Sequence, residues 1–232
     1  MYGRQTLSLP RLTTFVKGLL ITLFGSYVLQ LVLERWQEMP VFATLALIPA
    51  TMQPWQLVTY VLVDTSNPLL FIFGLLVLWW VLAPFEIGFG ARRTAQLCAA
   101  CVVGAAIPAW LVGFSLPNPP PLYGTGPLWM GGLAASTWLY KDRPVSLFGL
   151  GSISAQQFLL IIVGLSFLMF LFSMNYTHFV GDLGGMAGGI GFIHYLRRPR
   201  SRPTQKPRSP KGGFRVIQGG GQKDDEPKTW LN

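Results

Sequence analysis

The sequence predicts an all-α integral membrane protein that crosses the bilayer six times and keeps both termini in the cytosol. Hydrophobic residues make up 51% of the 232 residues and charged residues only 12%, and the mean hydropathy is +0.43. This balance excludes an ordinary water-soluble domain, because so many apolar side chains need membrane spans to cover them.

Six stretches are long enough, within a few residues, to cross the membrane. A helix needs about 20 mostly apolar residues for the hydrocarbon core of about 30 Å, because every backbone hydrogen bond must be made within it. The fourth and sixth stretches are less hydrophobic and rich in glycine, which is typical of interior helices whose backbones approach closely. The predicted spans are residues 15–33, 68–85, 94–114, 121–140, 155–174 and 179–195.

The basic residues indicate the orientation, because Lys and Arg accumulate in cytoplasmic segments. They flank the first span, separate the second span from the third and the fourth from the fifth, and follow the sixth. Only Arg35 falls on the other side. The prediction is a cytosolic segment 1–14, a membrane domain 15–196 with residues 34–67 outside the cell, and a basic, proline-rich cytosolic tail 197–232 that is disordered.

Three local patterns share the order and spacing of one protein family, and together they resemble the rhomboid family of intramembrane serine proteases over about residues 15–195. The first pattern precedes the second span, the next ends that span and forms its cytoplasmic turn, and the last lies in the sixth span. They read Pro54-Trp55-Gln56-Leu57-Val58-Thr59-Tyr60; Leu78-Trp79 with Glu86, Gly88, Gly90, Arg92 and Arg93; and Asp182-Leu183-Gly184-Gly185 with Gly188 and Gly189.

The resemblance implies a six-helix bundle with a serine nucleophile in a Gly-x-Ser-Gly motif on the fourth helix and a histidine base on the sixth. A serine hydroxyl is inert unless such a base accepts its proton. Here the motif reads Gly124-Thr125-Gly126-Pro127, so Gly126 occupies the nucleophile position, and Asp182 occupies the base position. The family also uses a His and an Asn on the second helix to bind the oxyanion. No His precedes His178, and the Asn position is Gly74.

Two residues are fallback catalytic candidates. Thr125 carries a hydroxyl one residue before the nucleophile position, although successive helical residues point about 100° apart. His178 precedes Asp182 by one turn on the same face. Asp182 is itself a functional candidate, because an acid inside a span usually faces the bundle interior or a water-filled cavity. The structural alternative is a hydrogen bond from Asp182 to Thr125 or another polar group of the fourth span.

Phe179-Val180-Gly181-Asp182 also resembles the Gly-x-Gly-Asp motif of intramembrane aspartyl proteases. Those enzymes need a second intramembrane acid, so that the two carboxyl groups share the acid and base roles. The only other candidate, Asp64, lies outside the second span. The aspartyl interpretation is therefore less favoured than the rhomboid one.

Small residues at helical spacing predict close packing between the fourth and sixth spans. Residues four apart lie on one face of a helix, and without side chains they let two backbones approach. Gly184 and Gly188 form a second row of this kind on the sixth span. We expect the contact between the two spans to use Gly124, Gly131, Gly181, Gly185 and Gly189.

These residues predict a catalytically inactive pseudoprotease that binds transmembrane segments of client proteins, as inactive members of the family do. A lateral opening between the second and fifth spans, lined by Phe71, Phe73 and Trp79, would admit the client. One alternative is an intramembrane serine-type protease with a non-standard active centre. Another is a small transporter or channel component, suggested by the buried Asp182.

The expected partners are transmembrane segments and the lipid bilayer, with no nucleic acid and no cofactor. Cys98 and Cys101 share one face of the third span, and no other thiol and no nearby His completes a metal site with them. We therefore expect both cysteines to be apolar fillers. The compact six-span size favours a bacterial inner membrane.

Overall fold

The structure, a computed structural model, describes residues 10–139, 144–146 and 152–198. Within them, six helices of at least 14 residues form one bundle, joined by shorter elements. The long helices are α1 Thr14–Trp36, α4 Pro68–Phe89, α5 Ala91–Phe114, α6 Gly126–Leu139, α7 Ala155–Ser173 and α8 Tyr176–Arg197. The short elements are helices α2 Val41–Leu45 and α3 Gln56–Thr59, the 3-10 turns Pro49–Thr51 and Tyr60–Leu62, and strands β1 Pro144–Ser146 and β2 Ser152–Ser154, which pair antiparallel. The predicted tail lies outside the described residues, except for its first two positions.

Among the described residues, four helices are long and apolar enough to cross a membrane: α1, α4, α5 and α7. The prediction of a helical, multi-pass membrane protein is confirmed at this level. Helix α6 has only 14 residues. Helix α8 has 22 residues, of which six are glycine: Gly181, Gly184, Gly185, Gly188, Gly189 and Gly191. The count of six spans and the orientation of the termini stay predictions.

The predicted fourth span starts five residues too early. Leu122 makes two backbone hydrogen bonds of 2.9 Å with Leu47 of the segment 34–67, so this stretch is a loop. Gly124 follows with a φ of +84°, a left-handed conformation that ends the loop and that glycine adopts without strain. Helix α8, in contrast, starts earlier than predicted, because the side chain of Asn175 accepts a 3.1 Å hydrogen bond from the His178 N–H and caps it.

Helix α8 packs through two glycine rows against two different helices. The first row faces α5: a Cβ added at Gly104 would lie 2.8 Å from the Gly184 carbonyl oxygen, and one added at Gly188 would overlap the Ala100 carbonyl oxygen. The second row faces α6: a Cβ added at Gly185 would lie 2.6 Å from the Pro127 carbonyl oxygen. Only helices without side chains at these points can come so close.

The contact between α6 and α8 differs in part from the predicted glycine set. Gly131, Gly185 and Gly189 lie in it, since a Cβ at Gly131 would lie 2.5 Å from the Gly185 carbonyl oxygen and one at Gly189 would overlap the Gly131 carbonyl. Gly124 and Gly181 do not. Gly124 belongs to the loop before α6 and faces Asp64, and Gly181 faces the Leu122 side chain of the same loop. The reason is the late start of α6, which leaves only loop beside the first turns of α8.

The segment 34–67 folds over one end of the bundle and is tied down by buried polar side chains. Gln56 is 3% exposed, and it accepts hydrogen bonds from the backbone of Ile48 and Gln53 and donates to carbonyl oxygens of α2. Tyr60, fully buried, donates a 3.0 Å hydrogen bond to the Val102 carbonyl of α5. These bonds order the segment internally and hold it against α5.

At the opposite end, Glu86 of α4 caps the start of α1. Its carboxylate accepts 2.9 Å hydrogen bonds from the backbone N–H groups of Phe15 and Val16 and a further one from the Thr13 hydroxyl. A carboxylate at a helix N-terminus satisfies free N–H groups and interacts favourably with the helix dipole. Glu86 therefore joins α1 to α4, which explains a buried acid at the end of an apolar helix.

The substitution Gly189→Ala tests the α6–α8 contact. We expect it to destabilise the protein by about 1–3 kcal/mol, because the new methyl group overlaps backbone that cannot move aside. Gly191→Ala on the same helix is the matched control: its Cβ would meet nothing within 4 Å, so it should be neutral or stabilising by up to about 1 kcal/mol. Unfolding in detergent micelles measures both, and equal stability of the two variants would contradict this packing.

Candidate functional site

A polar cavity of about 220 Å³ lies where α4, α6 and α8 meet, beside the end of the segment 34–67. Its location follows from the glycine rows, which bring α8 against α6, and from the loop that precedes α6. The polar side chains that line it come from three parts of the chain, the loop before α4, the loop before α6 and helix α8: Asp64, Ser66, Tyr123, Thr125, His178 and Asp182. This cavity contains the nucleophile and base positions that the sequence resemblance indicated.

Gly126 and Asp182 face each other across this cavity. A Cβ added at Gly126 would lie 2.9 Å from Oδ1 of Asp182. The first residue of α6 is thus in direct contact with the second turn of α8, but neither a nucleophile nor a histidine base is present at these two positions. The carboxylate also occupies the space that any side chain at position 126 needs.

The hydrogen-bond partner of Asp182 is on α7, not on α6. Oδ2 of Asp182 accepts a 2.9 Å hydrogen bond from the Ser166 hydroxyl. The predicted alternative, a bond to Thr125 or another polar group of the fourth span, is therefore wrong about the partner. Sequence reasoning missed Ser166, although a lone hydroxyl in the middle of an apolar span was the signal for it.

Thr125 and His178 line the same cavity but form no hydrogen bond with each other among the described residues. The Thr125 hydroxyl points toward α4, 3.7 Å from where a Cβ of Gly74 would be. The backbone carbonyl of Thr125 accepts from the N–H groups of Leu128 and Trp129 and so marks the start of α6. The structure therefore gives no dyad geometry for the two fallback candidates.

His178 is held by packing. Its ring meets Tyr123 edge-to-face, with the centroids 4.4 Å apart and the planes at 78°. Its Nε2 atom is buried and has no hydrogen-bond partner within the described part of the chain. A buried nitrogen without a partner carries a desolvation cost, and a ligand or water that donates to it would remove that cost.

Asp64 lies outside α4, as predicted, yet its carboxylate reaches the cavity. Its Oδ1 accepts a 2.7 Å hydrogen bond from the Ser66 N–H, and its own N–H donates to Gln30 of α1 at 3.0 Å. A Cβ added at Gly124 would lie 3.1 Å from Oδ2. Two carboxyl groups, those of Asp64 and Asp182, therefore face one cavity.

A second cavity of about 280 Å³ opens between α7 and α8. It shares Tyr123, His178 and Asp182 with the first, and Ser166 lies on its α7 side. The two cavities therefore meet at Asp182, whose side chain borders one cavity on the α6 side and the other on the α7 side.

The side of the bundle between α4 and α7 differs from the predicted lateral opening. Trp80, rather than Trp79, faces α7, in an edge-to-face contact with Phe158 whose centroids are 6.1 Å apart. Phe71 stacks on Tyr27 of α1 at 4.0 Å, and Trp79 packs against the core. The sequence indicated which two spans border the opening but not which neighbour each ring contacts.

No group of three or more His, Cys, Asp or Glu side chains within residues 10–139, 144–146 and 152–198 is arranged to hold a metal ion. Cys98 and Cys101 are buried free thiols in the core. Cys101 packs against α6, where a Cβ at Gly131 would overlap its Sγ atom. Their burial agrees with a role as small packing residues.

The Rhomboid domain family matches residues 51–199, which is more than half of the 232-residue chain. The match begins within the segment 34–67 and extends through α8, so it includes every residue of the polar cavity. No individual curated protein matches the sequence. The family match covers the same region as the motifs found in the sequence, and the chain belongs to the rhomboid family.

Proposed function

We propose that this rhomboid-family protein is a catalytically inactive pseudoprotease that binds transmembrane segments of client proteins. The observation that supports it most directly is the pair Gly126 and Asp182, which face each other where the family has its serine and histidine. Gly126 has no nucleophilic atom. The Asp182 carboxylate lies 2.9 Å from where a Cβ of residue 126 would be, so it has no hydroxyl there to activate.

Helix α7 supports the binding part of the proposal. Only 6% of its apolar span is buried in the bundle, against 44% for α5. Its contact with α4 includes the single ring pair Trp80 and Phe158, and a cavity separates part of it from α8. A client helix that docks here would gain van der Waals contacts and polar contacts in the cavity, the two forces that drive helix association in lipid.

A protease with a rebuilt centre is the second candidate, and one observation favours it. The Ser166 hydroxyl donates to the Asp182 carboxylate at 2.9 Å, which is within the reach that a general base needs. The same bond is also a plain helix-to-helix contact, and an ionised carboxylate is a much weaker base than an imidazole for a serine hydroxyl. We therefore favour the structural role for this pair.

We also propose that α6 and α8 are membrane spans, which gives six spans and two cytosolic termini. Nine of the 14 residues of α6 are buried, so neighbouring helices, rather than apolar side chains of its own, shield it from lipid. The glycine rows of α8 support the same explanation. A bacterial inner membrane is the proposed location.

Cleavage of a generic rhomboid transmembrane substrate tests the pseudoprotease proposal. The full chain in liposomes is expected to give no product, and the variants Thr125→Ala, Ser166→Ala, His178→Ala and Asp182→Asn are expected to look the same, because none removes a working group. An active rhomboid protease in parallel liposomes is the control. Cleavage by wild type that one variant abolishes would assign that residue to a rebuilt catalytic centre and refute the proposal.

Restoring the family's serine at position 126 and histidine at position 182 tests whether a base at 182 can activate a nucleophile at 126. The double variant Gly126→Ser with Asp182→His should acquire slow labelling by a serine-directed fluorophosphonate, because the hydroxyl would then lie against an imidazole. Each single variant should stay unlabelled, since the serine or its base is then missing. Equal labelling of the double variant and the Gly126→Ser variant would show that position 182 does not act on position 126.

Labelling with a membrane-impermeant maleimide tests the topology. In a chain with Cys98→Ala and Cys101→Ala, we expect Glu38→Cys and Asn118→Cys to react in intact spheroplasts, because both positions are exposed on the proposed outer side. Arg92→Cys and Arg198→Cys, also exposed, should react only after the membrane is permeabilised. The reverse pattern, or labelling of all four in intact spheroplasts, would contradict six spans with cytosolic termini.

A further inference from the structure

The Asp182 carboxylate uses only part of its hydrogen-bonding capacity. Oδ2 accepts from Ser166, whereas no described residue donates to Oδ1, the oxygen next to Gly126. Asp182, Gly126 and Gly74 all line the cavity, and the two glycines place no side chain in it. The carboxylate therefore faces a space that a further group can occupy.

Besides the hydroxyl groups of Ser66, Tyr123 and Thr125, two other polar side chains of the cavity add to this acceptor character. Asp64 contributes a second carboxylate, and Nε2 of His178 is buried without a partner. The described residues that line the cavity include no Lys and no Arg. The cavity thus offers hydrogen-bond acceptors and negative charge without a compensating cation.

The depth of Asp182 identifies the kind of group that fits. It lies six residues after Tyr176, the first residue of α8, which is about 9 Å along the helix. An acid at such a depth in a span is stabilised by pairing with a cation or by several donors. The adjoining cavity on the α7 side leads to the same carboxylate, so a group carried by a neighbouring helix can approach it.

We propose that the polar cavity selects client transmembrane segments that carry a basic residue, Lys or Arg, whose side chain pairs with Asp182. This inference rests on the proposed client-binding function and adds a rule of selection to it. The ammonium or guanidinium group would donate to Oδ1, and the Asp64 carboxylate would add to the negative potential of the cavity. Asp182 is then the residue that determines specificity.

Photocrosslinking to synthetic transmembrane peptides tests this rule. The full chain in liposomes is mixed with leucine-alanine peptides that carry a photoreactive group and one guest residue about 9 Å from the outer end: Lys, Met or Glu. Met matches Lys in length without the charge. We expect Lys peptides to crosslink about tenfold better than Met peptides, as an intramembrane polar contact of 1–2 kcal/mol predicts, and Glu peptides to crosslink less than either.

Two variants distinguish the effect of the Asp182 charge from the effect of its hydrogen-bond partner. Asp182→Asn keeps the shape and the bond to Ser166 but removes the charge, and it should reduce Lys crosslinking to the Met level while Met crosslinking stays the same. Ser166→Ala keeps the charge and should keep the preference for Lys. A preference that survives Asp182→Asn, or that is lost in Ser166→Ala, would overturn the proposal. Equal crosslinking of all peptides to wild type would refute this inference alone, whereas crosslinking of none would refute client binding itself.

Discussion

Helix α8 packs backbone against backbone on both α5 and α6, and this double contact determines how the other helices are arranged. Inside a membrane no hydrophobic effect drives helices together, so close packing and polar contacts must do so. Gly184 and Gly188 allow the first contact, and Gly185 and Gly189 allow the second. Because its two glycine faces each fit one neighbouring helix, α8 fixes the positions of α5 and α6 on either side of it.

The same contact sets the geometry of the polar site. Gly185 of α8 contacts the Pro127 carbonyl of α6. Gly126 comes one residue before Pro127, and Asp182 comes three residues before Gly185, so this contact also sets Gly126 opposite Asp182 in the cavity. The contact between α6 and α8 thus brings together the two positions that the resemblance assigned to nucleophile and base, although they hold a glycine and an aspartate here. The Asp182 carboxylate bonds to α7 through Ser166.

The sequence predicted the positions of the long helices to within a few residues, because apolar runs and glycine spacing are local signals. It did not predict contacts that depend on distant segments. The loop before α6 exists because Leu122 bonds to Leu47, and Asp64 reaches the cavity because Gln30 of α1 holds its backbone. Periodicity likewise indicated two glycine rows on the sixth span, but not that each row meets a different helix.

The attachment of α7 has a mechanical consequence. Its first turn is fixed by the reciprocal hydrogen bonds between Ser154 and Gln157, and near its other end Phe170 stacks on Phe179 of α8 with the centroids 4.9 Å apart. Between these two points α7 has few neighbours, because only 6% of its apolar span is buried. A helix that is held at both ends bends more easily than it tilts. Ser166 lies one turn before Phe170, so a movement that widens the gap beside the Asp182 carboxylate must also loosen the ring contact.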